Sequence, residues 1–491
     1  MKLPSLPLVL IVSFVGGLPY SSDAVEDPRP NVVIIVYDDM NGYGSRGQYP
    51  AIRMPHLDRL KEESVNFVNA ACGVPVCNPS RASFLSGMNA HHTGAYLNGA
   101  DIWNKPGSVL EHAQSIPEYF KANGYTTWGR GKIFHSPLQE GREEAMFDNR
   151  PIAKGGFGPH PDVSHPIIAP GVQRWQGPDS DFPDVVNADA AIEFIEEAHD
   201  RPFFLFYGLW RPHQPYTAPS RFFDLYDPDT LPLPDGWKSD DLDDVPEQGR
   251  LLTDGLKKAR VDGEIDENLW RKYLWGYCAN SSFADWNVGR VIEAINRSPH
   301  ADNTIVIVFS DNGYHCGEKM RWEKATLWEL SDYVPLLVRA PGVAPAISER
   351  TVGLVDLYPT LRELCRLGPV DHALDGRSFA PLLNEPGAEW DRPSLSIYGK
   401  GNASIRDEHY RYIRYLDGTE ELYDRLADPH ELTNLIGRPG MDAVVERLSR
   451  HLPESWAPSW GGRWEVERPG EPRRLQPEYE APPGVTWESK T

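Results

Sequence analysis

The stretch NVVIIVY at residues 31–37 is a continuous β-branched run, and runs of the same kind recur: YTTW at 125–128, FFLFY at 203–207, TIVIVF at 304–309 and VPLLV at 334–338. Unbroken apolar runs of this length suit strands covered on both faces. Helical patterns separate them. Ser115 and Glu118 have capping-box spacing with Asn123-Gly124 as a stop, a second pattern covers 188–199, and a long one runs from about 267 to 296. Strands alternating with helices predict an α/β chain, a large mostly parallel sheet sandwiched by helices.

In such a sheet, ligands bind beyond the carboxyl ends of the strands. The first run ends in Asp38-Asp39, and the 304–309 run leads into Ser310-Asp311-Asn312-Gly313. The 125–128 run leads through Gly129 and Gly131 to Lys132 and His135, and the 203–207 run leads to His213. Either acidic pair alone reads as solvated loop acids or an Asp-Asn-Gly turn. Two pairs at two buried-type strand ends predict a divalent cation, because neighbouring carboxylates oppose each other's ionisation and hard oxygen ligands suit calcium or magnesium. Arg81, Lys132, His135, His213 and Lys324 would form the positive side of an oxyanion pocket, fitted to sulfate or phosphate esters.

In VCNPSRASFLSG, residues 76–87, Asn78 suits an N-cap, Pro79 the first helical position and Gly87 the helix end. That reading puts Cys77 just outside the positive end of a short helix, with Arg81 one turn along. Three readings of Cys77 stay open: an inert buried thiol, a disulfide partner of Cys72, or a nucleophile.

Residues 1–24 read as a signal peptide, with Lys2, an apolar core over 6–14 and a small-residue site at Ser22-Asp23-Ala24. The apolar run is short for a membrane span and is broken by Gly16-Gly17, so no membrane anchor is expected, and the protein is placed in the periplasm or outside the cell. Five cysteines make no dense disulfide framework, and the pairing of Cys72, Cys278, Cys316 and Cys365 is not legible. A net charge of −22 argues against a nucleic-acid partner. The remaining domains are expected over 25–385, the catalytic domain, and 386–491, a smaller C-terminal α+β domain with an irregular tail. The Pro-, Asp- and Gly-rich segment 215–263 reads as an insertion, and the runs on either side of Asp417-Gly418 form a hairpin pattern.

Cys77-Asn78-Pro79-Ser80-Arg81 followed by Ala82-Ser83-Phe84-Leu85-Ser86-Gly87 resembles the Cys-x-Pro-Ser-Arg signature of the formylglycine-dependent type I sulfatases. The resemblance covers most of the chain, through Asp38-Asp39, Gly131-Lys132, Asp311-Asn312-Gly313, Lys324, Val334-Pro335 and Asp356. The Lys132-x-x-His135 spacing and Trp322-Glu323-Lys324 look like the iduronate-2-sulfatase group, whereas Asn312 stands where that group more often has histidine.

The resemblance implies an alkaline-phosphatase-like fold and one calcium ion held by Asp38, Asp39, Asp311, Asn312 and residue 77. It also implies oxidation of Cys77 to formylglycine (3-oxoalanine) by a maturation enzyme. Arg81 and Lys132 would then stabilise the aldehyde hydrate, His135 would assist its deprotonation and the elimination, and His213 and Lys324 would bind sulfate and protonate the leaving alcohol. The function expected is an exported sulfatase acting on a sulfated carbohydrate, a 2-O-sulfated uronic acid or an algal glycan being two candidates. The alternatives are a formylglycine-dependent phosphoester or phosphonate ester hydrolase and a silent glycan-binding homologue with Cys77 unconverted.

Overall fold

A computed structural model describes residues 29–98, 102–139, 141–148, 155–160 and 167–460. The signal-peptide expectation and the end of the tail lie outside these residues. The core is a seven-stranded sheet of β1 (Asn31–Asp38), β2 (Val65–Ala71), β3 (Thr126–Gly131), β4 (Phe203–Pro212), β5 (Thr304–Ser310), β6 (Leu336–Arg339) and β7 (Ala346–Gly353). Its order is β7-β2-β6-β5-β1-β4-β3. β1 is parallel to β5 and β4, β3 to β4, and β2 to β7, while β6 alone runs antiparallel to both its neighbours.

The period of two in β1 explains why the run is apolar throughout. Val32, Ile34 and Val36 enter one core layer with Phe84, Phe120 and Leu361, whereas Val33, Ile35 and Tyr37 enter the other with Leu57, Ala284 and Val288. All five apolar runs lie in or lead into this sheet. β2 and β7 go beyond the sequence expectation, because VNFVNAA and AISERTVG carry too much polarity to read as buried strands.

Three helices bear on the geometry of the strand ends: α1 (Cys77–Ser86), α2 (Pro183–Glu196) and α3 (Glu267–Arg297). Asp266 caps α3 by accepting from the N–H groups of Asn268 and Leu269, each at 2.9 Å. Pro183 starts α2 five residues before the expected position. The Ser115–Glu118 capping box is present on the helix Ile116–Ala122. The insertion 215–263 packs Tyr216, Phe223 and Leu256 against Trp270 and Leu274 of α3.

A second, antiparallel sheet joins β8 (Ser394–Ile397), β9 (Ala403–Arg406), β10 (Tyr410–Arg414) and β11 (Glu420–Asp424) in sequence order. The expected hairpin is its last pair, with Tyr410 opposite Asp424 and Gly418 at φ 85° in the turn. This sheet is joined to the main one through buried charge. Arg411 pairs with Glu329, with Asp332 at 2.5 Å and with Glu431, and Arg406, Arg425 and Arg46 also reach Glu329 at 3.1, 3.1 and 2.5 Å. Burial alone would raise the Glu329 carboxyl. The four arginines, Arg406 and Arg425 foremost, overcome it and hold that carboxyl well below its ordinary value.

Where β3 meets β4, Gly131 lies opposite Gly208, and Gly131 has φ 80°. A Cβ on Gly131 would stand 1.9 Å from the Gly208 carbonyl oxygen, and one on Gly208 would stand 2.0 Å from the Lys132 oxygen. Only glycines allow this crossing, and it aims the next side chain, Lys132, across the strand ends.

Two predictions test this frame. Gly131→Ala should cost about 3 kcal/mol or more in denaturant unfolding, because rigid backbone must move and the residue becomes a non-glycine at positive φ. Glu329→Gln should cost about 3–5 kcal/mol at neutral pH by leaving buried arginines uncompensated. A depressed carboxyl contributes stability above its unfolded value near 4.5 and loses it as pH falls through the folded value, so the gap between variant and wild type should close below that point. The comparison with the variant is needed because burial raises neighbouring Glu431, which shifts the wild-type curve the other way.

Candidate active site

The site forms where β1 and β5 end side by side. Tyr37 is opposite Ser310. The chain then turns sharply, with Asp39 at φ 71°. The Asp311 N–H donates to the Tyr37 oxygen at 3.1 Å, the Met40 N–H to Ser310 Oγ at 2.9 Å and the Tyr277 hydroxyl of α3 to the Asp39 carbonyl at 3.0 Å. These bonds hold Asp38, Asp39, Asp311 and Asn312 together, each at most 1% exposed.

α1 supplies Cys77 and Arg81. Its geometry corrects one expectation: Cys77 is the first helical residue and extended Val76 is the cap, so Asn78 and Pro79 lie within the first turn. Gly87 does close the helix, at φ 71°. All five cysteines are free and buried, which removes the Cys72–Cys77 disulfide reading. Cys77 Sγ lies 3.4 Å from Asp38 Oδ1, 3.9 Å from Asp39 Oδ1 and 2.7 Å from Lys324 Nζ.

The predicted cations also meet here. Lys132 pairs with Asp38 and lies 5.5 Å from the Trp210 ring centroid. Lys324 pairs with Asp39. Arg81 is spent on structure as much as on the pocket. Its Nε donates to Asp311 Oδ2 at 2.9 Å, Nη2 forms the ion pair at 2.8 Å, and Nη1 reaches the carbonyls of Lys132 and, at 3.3 Å, Ile133. Arg81 thereby ties α1 to the end of β3.

His213 stacks on Phe157 at 4.8 Å, and its Nδ1 lies 2.5 Å from the Gln214 carbonyl oxygen. Nδ1 must therefore carry the proton, which leaves the Nε2 lone pair facing Asp39 Oδ2 at 3.6 Å. His135 is half-buried beside Ser136 and feels Lys132, Asp38, Arg81 and Lys324.

Three carboxylates face three cations, so the cluster is formally neutral. Burial raises Asp39, helped by Asp38 and opposed by Lys324, and burial raises Asp311 against Arg81. For Asp38, burial is outweighed by Lys132, His213 and Lys324, and its carboxyl is held well below the usual range. Burial, and then Lys132 for His135 and Lys324 for His213, lower both imidazoles to about 3, so both are neutral at ordinary pH. Burial, with Asp38, pushes the Cys77 thiol up despite Lys132 and Lys324.

The residues fit a hard cation. Asp39 Oδ2 and Asn312 Oδ1 are buried acceptors without a hydrogen-bond donor, an arrangement that costs free energy unless a ligand fills it. Asp38, Asp39, Cys77 and His213 each offer one ligand atom, all within 4.8 Å of one another. His213, expected on the sulfate side, thus also offers Nε2 to the place where a cation would sit. Asp311, expected as a ligand, spends one carboxylate oxygen on Arg81 and the other on the Asp39 N–H at 3.3 Å.

Sequence reasoning does not single out Tyr277, Phe157, Gln214 or Lys258, which wall or brace the site. None carries a local signal, because the side-chain partners of each are distant in the chain. Trp103 and Trp322 are core residues, and Trp210 faces Lys132.

Comparison with known proteins agrees with this geometry. The Sulfatase family model matches residues 30–366, and a model described as N-sulphoglucosamine sulphohydrolase, C-terminal, matches residues 317–457. A sulfatase of Formosa agariphila is 33% identical over 461 residues, 90% of this chain and 89% of that one. Iduronate 2-sulfatase of Mus musculus is 30% identical over 341 residues, 64% of this chain and 59% of that one. The crystal structure of a phosphonate monoester hydrolase of Agrobacterium radiobacter shares the fold, with a TM-score of 0.69 and 20% identity over 86% of this chain and 96% of that one. The chain belongs to the sulfatase family and is a sulfuric ester hydrolase built on the alkaline-phosphatase-like fold.

Proposed function

We propose that the protein is an exported sulfatase that hydrolyses sulfate esters of a carbohydrate, with residue 77 acting as formylglycine and calcium as the cation. The observation that carries the reading is the position of Cys77. Its Sγ lies buried 3.4 Å from Asp38 Oδ1 and 2.7 Å from Lys324 Nζ, where the three carboxylates and three cations of the site converge, and burial pushes its thiol up, which makes the unmodified side chain a poor nucleophile. The arrangement makes chemical sense when residue 77 presents oxygen. A formylglycine hydrate at residue 77 would supply a hydroxyl nucleophile and a second hydroxyl whose deprotonation would expel sulfate by re-forming the aldehyde.

The chain's own groups divide the remaining work. Asp38, Asp39 and Asn312 would hold the cation, with His213 Nε2 or Asp311 completing the set, and a bound calcium would neutralise the sulfate oxygens and orient the nucleophile. Lys132 and Lys324 bring positive charge to where negative charge builds on the sulfuryl oxygens. Lys324, touching Cys77 Sγ, is placed to donate a proton to the leaving oxygen. His135 is neutral and can accept the proton of the hydrate. The carbohydrate assignment draws on the iduronate and N-sulphoglucosamine names of the matched relative and C-terminal family model. Export is supported by the pattern of residues 1–24.

The test is sulfate release from a panel of sulfated mono-, oligo- and polysaccharides, using protein co-produced with a formylglycine-generating enzyme and verified by mass at residue 77. Release should fall ~1,000-fold or more in Cys77→Ala, as when a nucleophile is removed from other hydrolases. Converted protein that releases nothing from the panel but cleaves an aryl phosphonate ester would replace this reading with the phosphoester one.

Metal removal gives a second prediction. Chelation should abolish turnover and lower Tm, because Asp39 Oδ2 and Asn312 Oδ1 regain no partner. Calcium should restore both. Restoration by magnesium alone would overturn the calcium assignment.

A further inference from the structure

The turn that carries Lys324 is held in a conformation its residues disfavour. Glu323 and Ala325, on either side of Lys324, have φ of 88° and 74°, left-handed backbone that costs a non-glycine residue roughly 1–2 kcal/mol. Its main chain is braced on all sides. Trp322 and Glu323 pair with Cys316 and His315, Trp322 Nε1 donates to the Tyr216 hydroxyl at 3.1 Å, the Ala325 N–H donates to the Pro75 oxygen at 3.1 Å, and Arg321 Nε donates to the Lys324 oxygen at 2.9 Å. Backbone strain maintained this firmly beside a reactive group points to a functional demand on that group's position.

The side chain of Glu323 extends the brace to the other wall of the pocket. Its Oε1 accepts from Gln214 Nε2 at 2.5 Å and from Lys258 Nζ at 2.6 Å, and Lys258 also donates to Gln214 Oε1. Gln214 follows His213 and its carbonyl holds the His213 ring, while Glu323 precedes Lys324. A closed ring of three side chains therefore joins the loop of His213 to the turn of Lys324, 109 residues apart by the Gln214–Glu323 bond. Lys258 comes from the 215–263 insertion. The Lys258 and Glu323 side chains are 28% and 32% exposed, a setting in which an ion pair contributes only about 0–1 kcal/mol to stability. The ring bonds within itself, not to Cys77 or the aspartates.

We propose that Glu323, braced by Gln214 and Lys258, is a positioning residue that sets the distance and orientation of Lys324 relative to His213, and so couples the 215–263 insertion to turnover. It rests on the roles proposed for Lys324 and His213 in sulfate ester hydrolysis. Lys324 Nζ must reach both Asp39 and the atom at position 77, and a displacement of about 1 Å in such a group can lower the rate ~100-fold.

The test is steady-state kinetics of the converted full chain on the best substrate of the panel. Glu323→Ala should lower kcat ~10–100-fold. KM should stay within about 3-fold, with Tm and the formylglycine content of residue 77 unchanged. Glu323→Gln keeps the shape and an acceptor oxygen, and should recover to within about 5-fold of wild type. Lys258→Ala should lower kcat alone but add nothing in combination with Glu323→Ala, since both act through one ring. Wild-type kcat in Glu323→Ala overturns the proposal. So does a loss that tracks a fall in Tm and is equal in Glu323→Gln. His213→Ala and Lys324→Ala separate the two levels: if both keep full activity, the roles beneath fall and this proposal falls with them. If both lose it while Glu323→Ala does not, only the positioning proposal fails.

Discussion

Three carboxylates buried side by side at the ends of β1 and β5 are the constraint on which the rest of this molecule depends. Asp38, Asp39 and Asp311 are at most 1% exposed, and a buried charge left without a counterion costs several kcal/mol. Their counterions come from three separate places: Arg81 from α1, Lys132 from the end of β3 and Lys324 from the turn after Trp322. The charge balance therefore acts as a docking code. A helix, a strand end and a turn far apart in sequence must all arrive before the acids can be buried, and their arrival also brings three cations around Cys77. Stability and chemistry draw on the same ion pairs, so substitutions here should seldom affect one alone.

Much of this is legible in the sequence, and the reason is locality. A strand buried on both faces needs an uninterrupted apolar run, so 31–37, 203–207 and 304–309 announce themselves, and the acids after them follow from where ligands bind in parallel sheets. Gly87, the Ser115 capping box and the Asp417-Gly418 turn are likewise decided within a few residues. β2 and β7 escape such a reading because their asparagines and charges hide a burial that only neighbouring strands create. The cap expected at Asn78 falls instead at Val76, because extended Val76 precedes the helix and the first turn accommodates Cys77, a substitution of one start signal for another only two residues away.

The site shows the same division. The three acids and the cations that pair with them can be named from sequence, but not what each one holds. Arg81 is expected beside the hydrate, yet its guanidinium is engaged by Asp311 and by the carbonyls of Lys132 and Ile133. His213 is expected at the sulfate, yet its free Nε2 lies near Asp39 and Cys77 as well. Glu323 stands in the Trp322-Glu323-Lys324 stretch, but its ring with Gln214 and Lys258 is not legible, since the three share no motif. Composition and spacing identify which chemistry is available; contacts between residues a hundred positions apart decide how it is aimed.

The C-terminal sheet illustrates how far that aiming extends. Read along the chain, it belongs to a separate, smaller domain expected from residue 386 onward. In space, the Ile397 N–H donates to the Gly73 oxygen at 2.9 Å and Ser396 Oγ to the Cys72 oxygen at 2.6 Å, so β8 holds the approach to Cys77 from one side. The Ala325 N–H grips the same segment at Pro75 from the Lys324 turn. Arg411 and its acidic partners fix this sheet against Glu329 and Asp332, just after that turn. The segment 72–76 is thus held between the small sheet and the turn of Lys324, and residue 77 emerges from it directly into the helix. Loosening the Arg411 cluster would not merely free a peripheral domain; it would release one of the holds that place residue 77 against Lys324.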